Sequence, residues 1–112
     1  MKIDIKKNTD YTIVTIKDHK LDATISSELK AELLILCQPP LQNLIIDLSQ
    51  VDFCSSHGLR ALLIANRQMR ACGGKLSLVG VQPKVQSLLK ISYLDTLAFT
   101  VFSTIAEATK KQ

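Results

Sequence analysis

Apolar and polar residues alternate over the first seventeen positions of the chain. Ile3 and Ile5 point one way, Asp4 and Lys6 the other. Tyr11-Thr12-Ile13-Val14-Thr15-Ile16-Lys17 repeats the period with β-branched residues, and Asn8-Thr9-Asp10 between the runs has turn chemistry. The start therefore reads as an antiparallel hairpin. Asp18-His19-Lys20-Leu21-Asp22 reads as a polar connection, and the period then lengthens. Ile25, Leu29, Leu33 and Leu36 form a helical stripe, with Thr24, Ser26 or Ser27 as candidate caps and Pro39-Pro40 as the stop. Asn43-Leu44-Ile45-Ile46-Asp47-Leu48 is a short apolar run suited to a central strand buried on both faces.

The stretch Val51 to Arg60 links that strand to the longest helical pattern, Leu59 to Cys72. Leu62, Ala65, Met69 and Cys72 share one face of this helix. Arg60, Ile64, Arg67 and Ala71 share the opposite face, with Leu63 near its edge. Gly73-Gly74 ends it, and Lys75 to Gly80 reads as another strand. Pro83 opens a short helix with Val85, Leu88, Leu89 and Ile91 as its apolar set. Leu97 to Phe102 reads as a last strand and Ser103 to Lys110 as a terminal helix. The order is β-β-α-β-α-β-α-β-α. The alternating second half predicts right-handed crossovers and an α/β fold with a mixed, mostly parallel sheet and about four helices.

Composition narrows the picture. A chain of 112 residues, 46% hydrophobic, makes one domain over residues 1–112 with one core. That core must be aliphatic, because only 4% of residues are aromatic and Trp is absent. The apolar runs are too short to span a bilayer, and the basic N-terminus lacks the apolar stretch of a signal peptide, so a cytoplasmic protein is expected. Cys37, Cys54 and Cys72 fall in three different elements, and an odd count without a secretory signal argues against a disulfide framework. The net charge of +4 is uneven: Phe53 to Leu94 contains no Asp or Glu and holds +6, which leaves the rest at −2. A basic half points to an acidic partner or an anion. Nucleic acid is not the expectation, because the basic residues are not interleaved with aromatics and no nucleic-acid motif is present.

Three chemistries compete at Ser55-Ser56-His57-Gly58. A serine nucleophile and its base are rarely sequence neighbours, the hydrolase elbow needs small residues on both sides where only Gly58 is present, and the other histidine, His19, lies in a distant loop. No enzyme is expected. Cys54-x-x-His57 is a possible ligand pair, but no second pair follows, so no metal site is expected. Phosphate-loop and dinucleotide fingerprints are absent, and no cofactor is implied. The third reading is a helix N-terminus. Ser56 there is either a cap or a place for a phosphoryl group, stabilised by backbone N–H groups, the dipole and Arg60 one turn on. Leu63 and Ile64 between Arg60 and Arg67 make an apolar centre with a basic rim, which suits a docking surface.

The whole chain resembles the STAS domain, and most of all the small free-standing bacterial anti-sigma factor antagonists. The resemblance is carried by Leu44-Ile45-Ile46-Asp47-Leu48, by Asp52-Phe53-Cys54-Ser55-Ser56-His57-Gly58-Leu59, and by Gly73-Gly74-Lys75-Leu76. Leu21-Asp22 ahead of the first helix and Gln82-Pro83 to Leu94 complete it. The resemblance implies a non-enzymatic partner switch. Such a protein binds a serine-kinase-type anti-sigma factor, is phosphorylated at Ser56, and is restored by a PP2C-type phosphatase. It implies a switch loop of Ser55, His57, Gly58 and Asp22, beside which the helix face of Arg60, Leu63, Ile64 and Arg67 is the expected partner-binding surface. Two positions depart from the family pattern: Ser55 stands for its Asp and His57 for its second Ser or Thr. Asp22 is a candidate for the missing carboxylate. The alternatives are a STAS subunit of a transporter or signalling assembly without a phosphorylation cycle, and a carrier of a small ligand.

Overall fold

A computed structural model describes residues 3–8, 11–36, 43–91 and 100–102. The predicted hairpin is present: β1 (Ile3–Lys7) and β2 (Thr12–Ile16) pair antiparallel, from Ile3 opposite Ile16 to Lys7 opposite Thr12. The chain then crosses repeatedly. β2 pairs parallel with β4 (Asn43–Asp47), β4 with β6 (Lys75–Val79), and β6 with β7 (Thr100–Phe102). The sheet order is β1-β2-β4-β6-β7, mixed and mostly parallel as the alternation of elements requires.

Among the described residues three helices connect these strands: α1 (Ala23–Leu36), α2 (Ser56–Ala71) and α3 (Pro83–Ile91). Their apolar stripes pack on one face of the sheet. Leu29 and Leu33 of α1, Leu62 and Met69 of α2, and Val85 and Leu89 of α3 join Val14, Ile16, Leu44, Ile46, Leu76 and Leu78 in one core. On the other face, Ile13, Ile45 and Val79 form a second, smaller cluster with Tyr11 against it. Burial on both faces explains why β4 reads as a continuous apolar run rather than an alternation.

Two short strands were not legible in the pattern. The polar connection contains β3 (Lys20–Leu21), and the segment before α2 contains β5 (Phe53–Cys54). They pair parallel as a separate two-stranded sheet, Lys20 with Phe53 and Leu21 with Cys54. Two residues are too few to carry a period, and the partner is distant in sequence. The α1 cap also differs from expectation. It is Asp22, whose carboxylate accepts from the Thr24 N–H at 3.0 Å and from the Thr24 hydroxyl. Gly73 ends α2 as read: its φ of 78° is left-handed, and the Gly73 and Gly74 N–H groups close on the Arg70 and Met69 carbonyls. Cys37, the Pro39-Pro40 stop, the first half of the expected last strand and the helix over 103–110 lie outside the described residues.

Leu62 is fully buried at the centre of the helix layer, whereas Ile35 on α1 is 67% exposed. Leu62→Ala is expected to cost ~2–5 kcal/mol in urea unfolding. Ile35→Ala should change stability by no more than about 0.5 kcal/mol.

Candidate functional site

The loop between β5 and α2 is built from two ends. On one side β5 is tied to β3. The Asp52 and Phe53 N–H groups both donate to the His19 carbonyl (2.9 and 3.2 Å), and the Ser55 N–H donates to the Leu21 carbonyl (2.8 Å). On the other side α2 begins with Ser55 as its N-cap, in extended conformation (φ −88°, ψ 173°). The Ser55 carbonyl accepts from the Leu59 N–H at 3.0 Å, and Ser55 Oγ accepts from the Gly58 N–H at 3.4 Å. The cap is therefore one residue earlier than Ser56. Ser56 is the first residue of the helix proper, and it is exposed.

Gly58 is buried and lies directly on β3. A Cβ built there would sit 2.5 Å from the Leu21 carbonyl oxygen and 2.8 Å from Leu21 Cβ. Backbone cannot give way at that distance, so glycine is required by close approach. The same Leu21 carbonyl accepts from Ser55. One backbone group thus fixes both the cap residue and the third residue of the first turn.

Asp22 follows Leu21 and opens α1, so its carboxylate belongs to the segment that supports the loop. The hydrogen bonds from Thr24 hold its carboxyl below its ordinary pKa, opposed in part by desolvation. It is an anion at neutral pH, committed to capping its own helix. Cys54, by contrast, is pushed up to about 11 by burial and stays a thiol at neutral pH. The described residues contain no cluster of three or more metal-ligating side chains.

The four residues expected from the sequence to meet a partner lie along α2. Arg60 and Arg67 are exposed; Leu63 and Ile64 are partly buried, and Leu63 leans on the core. His57 is exposed beside Ser56. No acidic residue occupies the first turn, so the positive end of the helix dipole is unopposed by its own side chains. Phe53 is a residue the sequence reading did not select. It is 44% exposed although aromatic, three residues before Ser56. Cys54 packs against the core, so its neighbour in β5 faces out, and a two-residue strand gives no period from which the sequence could show this.

The architecture agrees with what similar proteins show. The STAS domain model matches residues 2–108, and the chain belongs to that family. BtrV of Bordetella bronchiseptica, a candidate anti-sigma factor antagonist, is 28% identical over 92 residues, covering 82% of this chain and 78% of its own. A STAS domain protein from Planctomyces limnophilus superposes with a TM-score of 0.86 at 21% identity over 97% of this chain and 95% of its own. The Bacillus cell fate determinant SpoIIAA, an anti-sigma factor antagonist, superposes in its unphosphorylated and phosphorylated forms. The unphosphorylated form has a TM-score of 0.82 at 19% identity, covering 98% of this chain and 95% of its own. The phosphorylated form has 0.75 at 17%, covering 98% of each. At these identities the structural matches establish the fold alone. Among the described residues no helix is long and apolar enough to cross a membrane.

Two outcomes test this construction. Gly58→Ala is expected to lose ~1–3 kcal/mol of stability in chemical unfolding, because the methyl group displaces Leu21 backbone. Asp22→Asn keeps an acceptor but removes the charge. Because the folded-state pKa of Asp22 is depressed, its stabilisation is complete above the ordinary carboxylate range and is lost as pH falls through the folded value. The thermal midpoint of Asp22→Asn should therefore lie below that of wild type at neutral pH, and the two should converge in acid.

Proposed function

We propose that this chain is an anti-sigma factor antagonist that docks a serine-kinase-type anti-sigma factor through the N-terminal half of α2. In this reading phosphorylation of Ser56 breaks the complex and a PP2C-type phosphatase restores it. The observation that carries it is the division of labour between two serines: Ser55 takes the cap, and Ser56 stands exposed at the helix start. Ser56 can then be modified without removing the bond that begins the helix. The N–H groups of the first turn and the positive helix end would stabilise a phosphoryl group there, and Arg60 follows one turn on. Family membership and the likeness to BtrV support the regulatory role.

The chemistry of release follows from charge. A phosphoserine adds about −1.5 to −2 charges at neutral pH. Placed in a docked, partly desolvated surface, that charge is opposed by every partner group positioned for a neutral hydroxyl. Gly58 and Leu21 hold the loop rigid, so the loop cannot relax away from the insult. A second reading is favoured by Ser55 itself. With no acidic residue in the first turn of α2, the loop lacks the negative neighbour of the family pattern. The module would then bind a partner in a larger assembly without a phosphorylation cycle.

The kinase reaction separates the two. With the cognate anti-sigma kinase and ATP, wild type and Ser55→Ala should incorporate phosphate, and Ser56→Ala should not. Ser56→Glu should bind that kinase at least about tenfold more weakly than wild type in calorimetry, since misplaced like charge costs several kcal/mol. Phosphate incorporation undiminished in Ser56→Ala removes Ser56 as the site. Absence of incorporation in wild type, with binding retained, establishes the module without a cycle.

A further inference from the structure

The outward face of α2 runs well beyond the switch loop. Ser56, Arg60, Ile64 and Arg67 follow one another at spacings of four, four and three, which places them on one stripe of the helix. Arg60 and Arg67 are exposed and Ile64 is half-buried between them. No Asp or Glu occurs from Phe53 to Leu94, so neither α2 nor its flanking strands bring a carboxylate of their own to this face. Phe53 adds an exposed aromatic ring at the end nearest Ser56. The surface is an apolar centre flanked by guanidinium groups along the helix. Its electrostatic complement is an apolar patch flanked by carboxylates.

We propose that the surface of the anti-sigma factor that covers this face is acidic. This rests on the antagonist reading and adds the partner's chemistry. It also gives the switch a sign. Attraction between arginines and partner carboxylates assembles the complex. A phosphate on Ser56 sets a like charge against those carboxylates and engages Arg60, one turn away. Arg67 is 11 residues from Ser56, roughly 16 Å along the helix. That is beyond the Debye length of about 8 Å at physiological ionic strength, so its attraction outlasts the modification. Phosphorylation then acts at the Ser56 end of the contact, and the attraction of Arg67 alone does not hold the complex together.

The test uses the full chain and the purified anti-sigma factor, with association rate and affinity followed from low to high salt. Wild-type affinity should fall as salt rises. Arg67→Glu, on an exposed position, should keep the wild-type thermal midpoint. It should associate at least about tenfold more slowly and show a flatter salt dependence. A photo-crosslinking residue at Ile64 should map to an acid-flanked apolar segment of the partner, and Lys substitutions of those acids should restore binding to Arg67→Glu. Wild-type affinity that is insensitive to salt and to Arg67→Glu, while Ser56→Glu still dissociates the complex, overturns the acidic partner and leaves the antagonist reading standing. No association of wild type with the anti-sigma factor at any salt overturns both. Tight, Arg67-dependent retention of a random-sequence DNA duplex that displaces the anti-sigma factor also overturns the proposal, because the face then reads a nucleic acid.

Discussion

The close approach of α2 to β3 at Gly58 and Leu21 is the constraint on which the rest of the site depends. A hydrogen in place of a side chain lets the first turn of the helix rest on the Leu21 backbone, and the Leu21 carbonyl binds the cap residue of the same helix. Because Leu21 is followed at once by the α1 cap, Asp22, the starts of the two helices share one short strand. The parallel pairing of β3 with β5 completes the frame. A loop held at both ends by backbone bonds presents its outward side chains in a fixed direction, which is what a recognition surface needs.

That frame assigns different tasks to neighbouring residues of similar chemistry. Ser55 and Ser56 are identical side chains one position apart, yet one is turned into the helix end and the other out to solvent. Leu62 and Leu63 are likewise adjacent: one is fully buried beneath the helix, and the other is only partly covered at the flank of its outer face. The periodicity of the helix makes these distinctions, and the depth of the sheet beneath it sets their size. The same logic separates the arginines from the core, so the charge of the basic half of the chain is displayed rather than neutralised within α2.

Much of this was legible in the chain itself. The hairpin, the apolar run of β4, the amphipathic α2 with its Gly73 stop, and the Pro83 start of α3 each depend on contacts within a few residues. Local period and terminus chemistry reveal such features. The outward position of Arg60, Ile64 and Arg67 follows from the same wheel. Ser55 and Ser56 have equal propensity for the cap, so spacing alone does not choose between them. Thr24, Ser26 and Ser27 are equally good cap residues by type, and Asp22 takes the role because only the register of the first turn decides which acceptor meets an N–H.

Spacing along the chain is enough to reveal the hairpin, the main alternation of helices with the strands of the large sheet, the buried stripes and the concentration of positive charge on one segment. Tertiary structure alone decided that Leu21 and Gly58 touch. The pairing of Lys20–Leu21 with Phe53–Cys54 and the outward turn of Phe53 also came from tertiary structure. These depend on residues more than thirty positions apart meeting in space, and a two-residue strand carries no period that would announce its partner. The choice between Ser55 and Ser56 belongs to the same class, because the backbone held by Leu21 fixes where the helix begins.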